Sequence, residues 1–147
     1  MYQRLLVATD HSRLSRKAEK AAIGLAAATG ARLVVMHVVP DYPMSYFEGV
    51  VTLAPEELAR IEGTWTARGQ KVVDTVVAAA AQAGVQAQGV LAHSDQVAEA
   101  VMATARKHKC DLIVMASHGR RGLTRVLLGS ETQHVLTHSS TPVLVLR

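Results

Sequence analysis

The sequence predicts a single-domain α/β protein, with a five-stranded parallel sheet and helices on both faces. Short apolar runs alternate with longer segments in which apolar residues recur at helical spacing. The apolar runs are hydrophobic at consecutive positions, which is typical of strands covered on both sides. The length of 147 residues and the hydrophobic fraction of 49% suit one domain with its own core. The resulting β-α-β-α-β-α-β-α-β alternation favours a doubly wound, Rossmann-like sheet of order 3-2-1-4-5.

The strand assignments predict which edge of the sheet binds a ligand. The predicted strands cover residues 4–9, 32–39, 85–92, 111–115 and 142–146. In a sheet of this order the topological switch lies between the first and fourth strands, and ligands bind at the C-terminal ends of the strands there. We therefore expect Thr9 and Asp10 to face residues 116–119. The end of the second strand, residues 38–39, should lie beside them.

Four predicted helices join these strands, and each has a start or stop signal of its own. The signals are, in chain order, Ser12 and Gly30, Pro55 and Gly84, Ser94, and Ser130. Gly63 and Gly69 weaken the long second helix in its middle. The fourth helix begins with Ser130-Glu131-Thr132-Gln133, which fits a capping box, so its start has an explanation that needs no ligand.

Residues 40–54 form the longest segment without a clear period. Irregular segments of this length in compact domains are often lids or binding loops. A surface flap packed on its own side chains explains the same composition equally well, so both interpretations stay open.

The last strand has no helix after it in this sequence. An uncovered apolar edge strand invites pairing with another chain. We therefore predict a homodimer, with a short edge protected by Pro142 and Arg147 as the alternative. The predicted interface residues are Val143, Leu144, Val145 and Leu146.

Composition narrows the function classes. The formal net charge of +4 is mild, and with 3% aromatic residues no basic and aromatic platform for nucleic acid is visible. The single cysteine, Cys110, excludes an internal disulfide and fits a reducing compartment. It precedes a buried strand, so we interpret it as a packing residue. No signal peptide and no run of about 18 apolar residues is found, so we expect a cytoplasmic protein without a membrane span.

Residues 115–130 have the pattern of an anion-binding segment. A buried strand is followed by a loop with Gly119 and Gly122, and then by a helix start. Glycines let the backbone approach a ligand, and the free N–H groups of a helix start point towards bound negative charge. Arginines at 120, 121 and 125 add positive charge. The common phosphate-loop templates are absent, however, so spacing alone indicates no particular ligand.

Histidines offer a second, weaker signal. His134 and His138 are four residues apart on one helix, as metal ligands can be, but residue 135 is valine and no cysteine is near. We interpret them as surface and helix-end residues. His118 lies inside the anion-binding segment, where it could contact a phosphate or ribose or hold the loop in place.

Several motifs together resemble those of the universal stress proteins. Nucleotide-binding members of that family carry Gly-x2-Gly, nine residues, and then Gly-Ser/Thr. This chain has Ala116-Ser117-His118-Gly119, nine residues, and then Gly129-Ser130. The Thr9-Asp10-His11-Ser12 turn, the His37-Val38 strand end and the segment 139–145 also match, so the resemblance spans the whole chain.

The resemblance implies the 3-2-1-4-5 fold, dimers through the last strand, and binding of ATP or a related adenine nucleotide. It implies that Asp10 lies near the base or ribose and that the Val38 backbone meets the adenine. Gly119, Gly129 and Ser130 would then hold phosphates, with Mg²⁺ or Mn²⁺ bridging those phosphates and no metal site from the protein alone. The full set of candidate nucleotide-binding residues is Ala8, Thr9, Asp10, Val38, Met115, Ala116, His118, Gly119, Arg120, Gly129, Ser130, Glu131 and Thr132.

Ala116 departs from the family pattern, in which the first position is glycine. A β-carbon there costs little if the backbone φ is negative, and more if φ is positive or if the nucleotide packs against this residue. Two functions follow. One is a stress-response regulator that binds an adenine nucleotide, with at most slow hydrolysis because Asp10 and Glu131 each have a structural explanation. The other is a nucleotide-free dimeric module that recognises a protein partner.

Overall fold

The computed structural model describes residues 1–41, 54–119 and 128–147. Nine elements alternate along these residues as predicted. In chain order they are β1 (Arg4–Ala8), α1 (Arg13–Thr29), β2 (Arg32–Val39), α2 (Pro55–Gln82), β3 (Ala87–His93), α3 (Val97–Lys107), β4 (Leu112–Ala116), α4 (Ser130–His138) and β5 (Val143–Leu146). The strands form one sheet of order β3-β2-β1-β4-β5, which confirms the predicted topology.

All neighbouring strands are parallel, and β1 lies in the middle of the sheet. Leu5 pairs with Leu33 of β2 on one side and with Leu112 of β4 on the other. The C-terminal ends of β1 and β4 therefore lie side by side. This is where the chain reverses its direction of winding and where a crevice for a ligand is expected.

Alternate residues of each strand enter two separate cores, because successive side chains of a strand point to opposite faces. Leu5 and Val7 pack with α1 and α2, while Leu6 packs with α3 and α4. The buried face of α1 is made mainly of alanines, which lets the helix lie close to the sheet. Cys110 is buried in the core on the α3 side, in line with its predicted packing role.

Gly69 sets how closely α2 approaches the sheet. A β-carbon at this position would lie 2.8 Å from side-chain atoms of His37, Val39 and Leu91. Gly69, which weakens the helix in terms of propensity, thus allows α2 to lie directly over the C-terminal end of β2. The close packing helps to fix His37, which directly precedes the candidate residue Val38.

The predicted strand boundaries lie within one residue of the structure except at the start of the third strand. The third strand begins at Ala87, not at residue 85, because Val85 still belongs to the end of α2: its N–H donates to the carbonyl of Ala80 (2.9 Å) after Gly84, which has φ +74°. The predicted Ser94 cap is also wrong. Ser94 Oγ accepts from the N–H of Gln96 (3.0 Å) in a local turn, and Gln96 is the N-cap residue of α3.

Strand β5 lies at the edge of the sheet, beside β4. Its Leu144 is 39% exposed, one of the few large apolar side chains at the surface of the described residues. The geometry is that of an edge open to pairing, so the homodimer through residues 143–146 stays a prediction. In the parts of the chain that the structure describes, no helix is long and apolar enough to cross a membrane.

Candidate functional site

The end of β1 is tied to the end of β2 through Thr9. Its N–H donates to the carbonyl of Met36 (3.0 Å), and its own carbonyl accepts from Nδ1 of His37 (2.8 Å). Because a carbonyl can only accept, Nδ1 of His37 carries the proton. These bonds hold the last residue before Asp10 in place against the neighbouring strand.

The backbone of Val38 faces the same crevice. In a parallel strand the N–H and C=O groups of alternate residues point to the same neighbouring strand. The carbonyl of Met36 bonds to Thr9 on the β1 side, whereas the carbonyl of Val39 bonds to Ser94 on the β3 side. The backbone groups of Val38 therefore point towards the β1 side, just beyond Ala8, where β1 ends.

The Asp10 carboxylate is held by the start of α1. Oδ1 accepts from the N–H of Ser12 (2.9 Å) and from the hydroxyl of Ser15 (2.6 Å). The other oxygen, Oδ2, faces Gly119: a β-carbon added to that glycine would lie 3.0 Å from it. The expected juxtaposition of Asp10 with the residues after β4 is therefore confirmed.

Glu19 is a residue of this region that sequence analysis missed. Its side chain on α1 is 10% exposed. Oε1 accepts from the hydroxyl of Thr9 (2.5 Å) and from Nδ1 of His11 (3.2 Å). The signal for it was present, since Glu19 occupies the buried face of α1 between Ser15 and Ala22, where a carboxylate needs partners.

Ala116 is the last residue of β4. It pairs with Leu146 of β5, and its carbonyl accepts from the hydroxyl of Thr132 (2.8 Å). Its φ is negative: among the described non-glycine residues, only His11 and Lys109 have positive φ. The methyl group in place of the family's glycine therefore carries no backbone strain, which answers the first of the two conditions considered from the sequence.

Gly129 closes the loop that follows β4. Its N–H donates to the carbonyl of Ser117 (2.8 Å), and a β-carbon there would lie 3.3 Å from that oxygen and 3.4 Å from Cα of His118. A larger residue would press on the backbone at the end of β4. The residues between these two points, 120–127, lie outside the described part of the chain, and with them Arg120, Arg121 and Arg125.

Helix α4 begins at Ser130 with Gly129 as its N-cap, and no side chain of the described residues caps it. The predicted capping box is therefore wrong. Ser130 is already the first helical residue, and the N–H of Gln133 donates to the carbonyl of Gly129 (2.9 Å). The first-turn N–H groups of Ser130, Glu131 and Thr132 precede that first helical bond, so they present the positive end of the helix to the crevice.

Two further candidates are the buried Thr132 and the half-buried His118. Thr132 is 3% exposed, and its hydroxyl donates to the carbonyl of Ala116, so this side chain has a structural partner. His118 Nδ1 lies 2.8 Å from the hydroxyl oxygen of Ser117. His118 Nε2 is buried and has no hydrogen-bond partner within the described ranges.

The histidines of α4 stand apart from this crevice. His134 and His138 are exposed and their rings stack at 4.3 Å, while Nε2 of His134 donates to the carboxylate of Glu99 (3.0 Å). Both are surface residues, as the sequence predicted. Across residues 1–41, 54–119 and 128–147, no group of three or more His, Cys, Asp or Glu side chains is arranged to hold a metal ion.

Comparisons with known proteins point to one family. The model of the universal stress protein family matches residues 1–147. The universal stress protein YxiE of Bacillus subtilis is 32% identical over 149 residues, and the match covers all of both chains.

Solved structures share the fold. The universal stress protein UspA of Lactobacillus plantarum superposes with a TM-score of 0.83 at 22% identity, over 99% of this chain and 98% of that one. A universal stress protein of Archaeoglobus fulgidus in complex with dAMP has a TM-score of 0.68 at 18% identity, over 99% and 98%. A universal stress protein in complex with cAMP has a TM-score of 0.72 at 24% identity, over 99% and 97%.

Proposed function

Because the chain belongs to the universal stress protein family, we propose that it binds ATP or a related adenine nucleotide where β1 and β4 end. In this proposal the protein is a cytoplasmic regulator of the stress response, and nucleotide binding rather than catalysis is its activity. The bound complexes of relatives with dAMP and cAMP support an adenine nucleotide as the ligand of this fold.

The observation that carries the proposal is the arrangement of Asp10, Gly119 and Gly129. The carboxylate of Asp10 can accept hydrogen bonds from ribose hydroxyls or from an adenine amino group, and it faces a glycine that leaves room beside it. Gly129 lies beside Ser117 and His118 at the end of β4 and is the N-cap of α4, and the N–H groups of a helix start can stabilise phosphates. In this proposal Asp10 contacts the nucleoside and the start of α4 contacts the phosphates.

The backbone of Val38 supports the position of the base. Its N–H and C=O point into the crevice beyond Ala8, so an adenine edge can hydrogen-bond there without any side chain. Ala116 supports the proposal too, because its negative φ removes the backbone objection to a methyl group at this position.

The carboxylates near the crevice support binding with at most slow hydrolysis. Oδ1 of Asp10 is used by Ser12 and Ser15, and Oε2 of Glu131 accepts from the N–H of Ala98 (2.8 Å). Both acidic side chains thus have structural partners, and neither is placed as a dedicated base for water. In this proposal Mg²⁺ or Mn²⁺ would be held mainly by the phosphate oxygens.

The test is isothermal titration of the purified protein with ATP, ADP and AMP in the presence of Mg²⁺. We expect saturable heats for the wild type and none for Gly129→Arg, whose side chain would fill the crevice and press on the end of β4. Gly24→Arg is the matched control, because nothing lies within 4 Å of a β-carbon at Gly24. Absence of binding by the wild type would overturn the proposal.

The edge strand favours one alternative, a nucleotide-free dimeric module that binds a protein partner. Its motivation is the exposed Leu144 on β5; the segment 40–54, the other predicted contact surface, lies outside the described residues except for residues 40, 41 and 54. Sedimentation of the wild type and of Leu144→Asp tests the dimer. Partner capture that is equal for the wild type and Gly129→Arg would favour this alternative.

A further inference from the structure

Glu19 is a buried carboxylate that the proposed nucleotide site does not use directly. It lies on α1, below the turn that carries Asp10, and its residue is 7% exposed. Burial of a carboxylate is costly unless hydrogen-bond donors surround it. The donors here are Thr9 and His11, the two residues on either side of Asp10 in the chain.

We propose that Glu19 is a positioning residue for Asp10, so that nucleotide affinity depends on it although it does not touch the nucleotide. This inference rests on the proposed function for its ligand. A single oxygen, Oε1, accepts from the hydroxyl of Thr9 (2.5 Å) and from Nδ1 of His11 (3.2 Å). Since a carboxylate oxygen accepts, both groups donate to it, and the turn is clamped at both ends.

The backbone of the turn shows why a clamp is needed. His11 has φ +59°, in the left-handed region that residues with a β-carbon seldom adopt. Its N–H donates to Oγ1 of Thr9 (2.9 Å), and its ring is held by Glu19. Hydrogen bonds with Thr9 and Glu19 therefore stabilise this conformation of His11.

The position of Asp10 depends on that conformation. Its Oδ1 bonds to the N–H of Ser12, the residue directly after His11, and its Oδ2 faces Gly119. If φ of His11 relaxes away from +59°, the N–H of Ser12 moves, and the Asp10 carboxylate that is bonded to it moves as well. Loss of Glu19 would thus disorient the group expected to contact the nucleoside, while the phosphate end at Gly129 stays in place.

The binding test compares Glu19→Leu with Glu19→Gln and with Val76→Ala. Glutamine keeps an oxygen that accepts from Thr9 and His11, whereas leucine has none. Val76 is buried against the sheet on α2, outside the crevice, so its truncation lowers stability without touching the turn. Titrations use ATP, AMP and adenosine with each variant.

We expect Glu19→Leu to weaken all three ligands by the same factor, about tenfold or more, because the nucleoside end is common to them. Glu19→Gln should stay within about threefold of the wild type, and Val76→Ala should bind normally despite a lower melting temperature. Thr9→Val removes the hydroxyl that donates to Glu19, so it should also weaken binding. Wild-type affinity in Glu19→Leu would overturn the inference.

Amide hydrogen exchange provides a readout that needs no ligand. The N–H groups of His11 and Ser12 are bonded in the turn, so we expect Glu19→Leu to speed their exchange at least about tenfold relative to Leu6 in β1. Val76→Ala should change all amides together. If the wild type binds no nucleotide, the proposed function fails, yet unchanged His11 and Ser12 exchange would still refute the role of Glu19.

Discussion

The carboxylate of Glu131, in the first turn of α4, accepts a hydrogen bond from the backbone N–H of Ala98, in the first turn of α3, at 2.8 Å. An acidic side chain at a helix start usually stabilises its own helix. Here it caps a neighbouring helix whose own N-cap, Gln96, makes no side-chain cap bond to the described residues. Among the described residues, no side chain caps the start of α4 itself.

Glu131→Ala should lower the free energy of unfolding by about 1 kcal/mol, the usual loss when a helix cap is removed. Nucleotide affinity should change by less than about threefold, because the side chain points to α3. Urea denaturation and titration with ATP measure the two quantities. Glu99→Ala is the control, since it removes an exposed acidic residue of α3 that pairs with His134. A large loss of affinity in Glu131→Ala alone would assign its side chain to the ligand.

Ala116→Gly restores the family pattern and tests whether the methyl group matters. We expect nucleotide affinity to stay within about threefold of the wild type, because φ at Ala116 is negative and the residue is buried in β4. Stability should fall by about 0.5–1 kcal/mol from the added freedom of glycine in a strand. A tenfold or greater gain in affinity would mean that the methyl group obstructs the nucleotide.

Gly119→Ala should weaken nucleotide binding by about tenfold, since its β-carbon would lie 3.0 Å from Oδ2 of Asp10 and displace the carboxylate. The matched control is Gly24→Ala on α1, where the added carbon meets open space. That change should leave affinity intact and stabilise α1 by up to about 1 kcal/mol through helix propensity. Equal affinities for the two variants would show that Asp10 does not contact the ligand.

Cys110 makes stability depend on alkaline pH. Burial raises the pKa of its thiol from 9.0 to about 11, an effect opposed by Arg4 and aided by Asp111. Between these pH values the unfolded chain loses the proton first, so this contribution to stability is fully present below pH 9 and is lost as the pH rises towards 11. The Cys110→Ala variant has no thiol and therefore lacks this pH-dependent contribution to stability.

The measurement is the difference in unfolding free energy between the wild type and Cys110→Ala at a series of pH values, which cancels the titration of the other groups. The wild type should lose about 1–2 kcal/mol more than the variant between pH 8 and pH 11. Parallel pH profiles for the two proteins would contradict the raised pKa.

Much of the site was accessible from sequence because it follows from the order of the strands. Once β1 and β4 are neighbours, their C-terminal ends must meet, so Asp10 and Gly119 come together whatever the helices do in detail. Gly129 also lies close to the backbone at the end of β4, where a β-carbon would be 3.3 Å from the carbonyl oxygen of Ser117. A glycine at this position was therefore a useful signal in the sequence.

Two helix starts were misjudged by sequence analysis, whereas Ser12 and Gly30 cap α1 as predicted. Ser94 and Ser130 have the residue type and spacing of N-caps, yet neither side chain caps its helix. The local sequence pattern does not predict that the carboxylate of Glu131 accepts from the N–H of Ala98 in α3, 33 positions earlier in the chain. Nor does it predict that Glu19 accepts from Thr9 and His11.

The sequence by itself determined the class of fold, the strand order and the location of the crevice. The reason is that apolar periodicity decides which faces are buried, and chain connectivity then leaves few ways to cover a parallel sheet. Only the tertiary structure decided which polar groups are partners in and around the crevice. A hydrogen bond forms only when the donor–acceptor distance is right to within a few tenths of an ångström. Between elements that lie far apart in sequence, that distance is set by how the helices pack on the sheet.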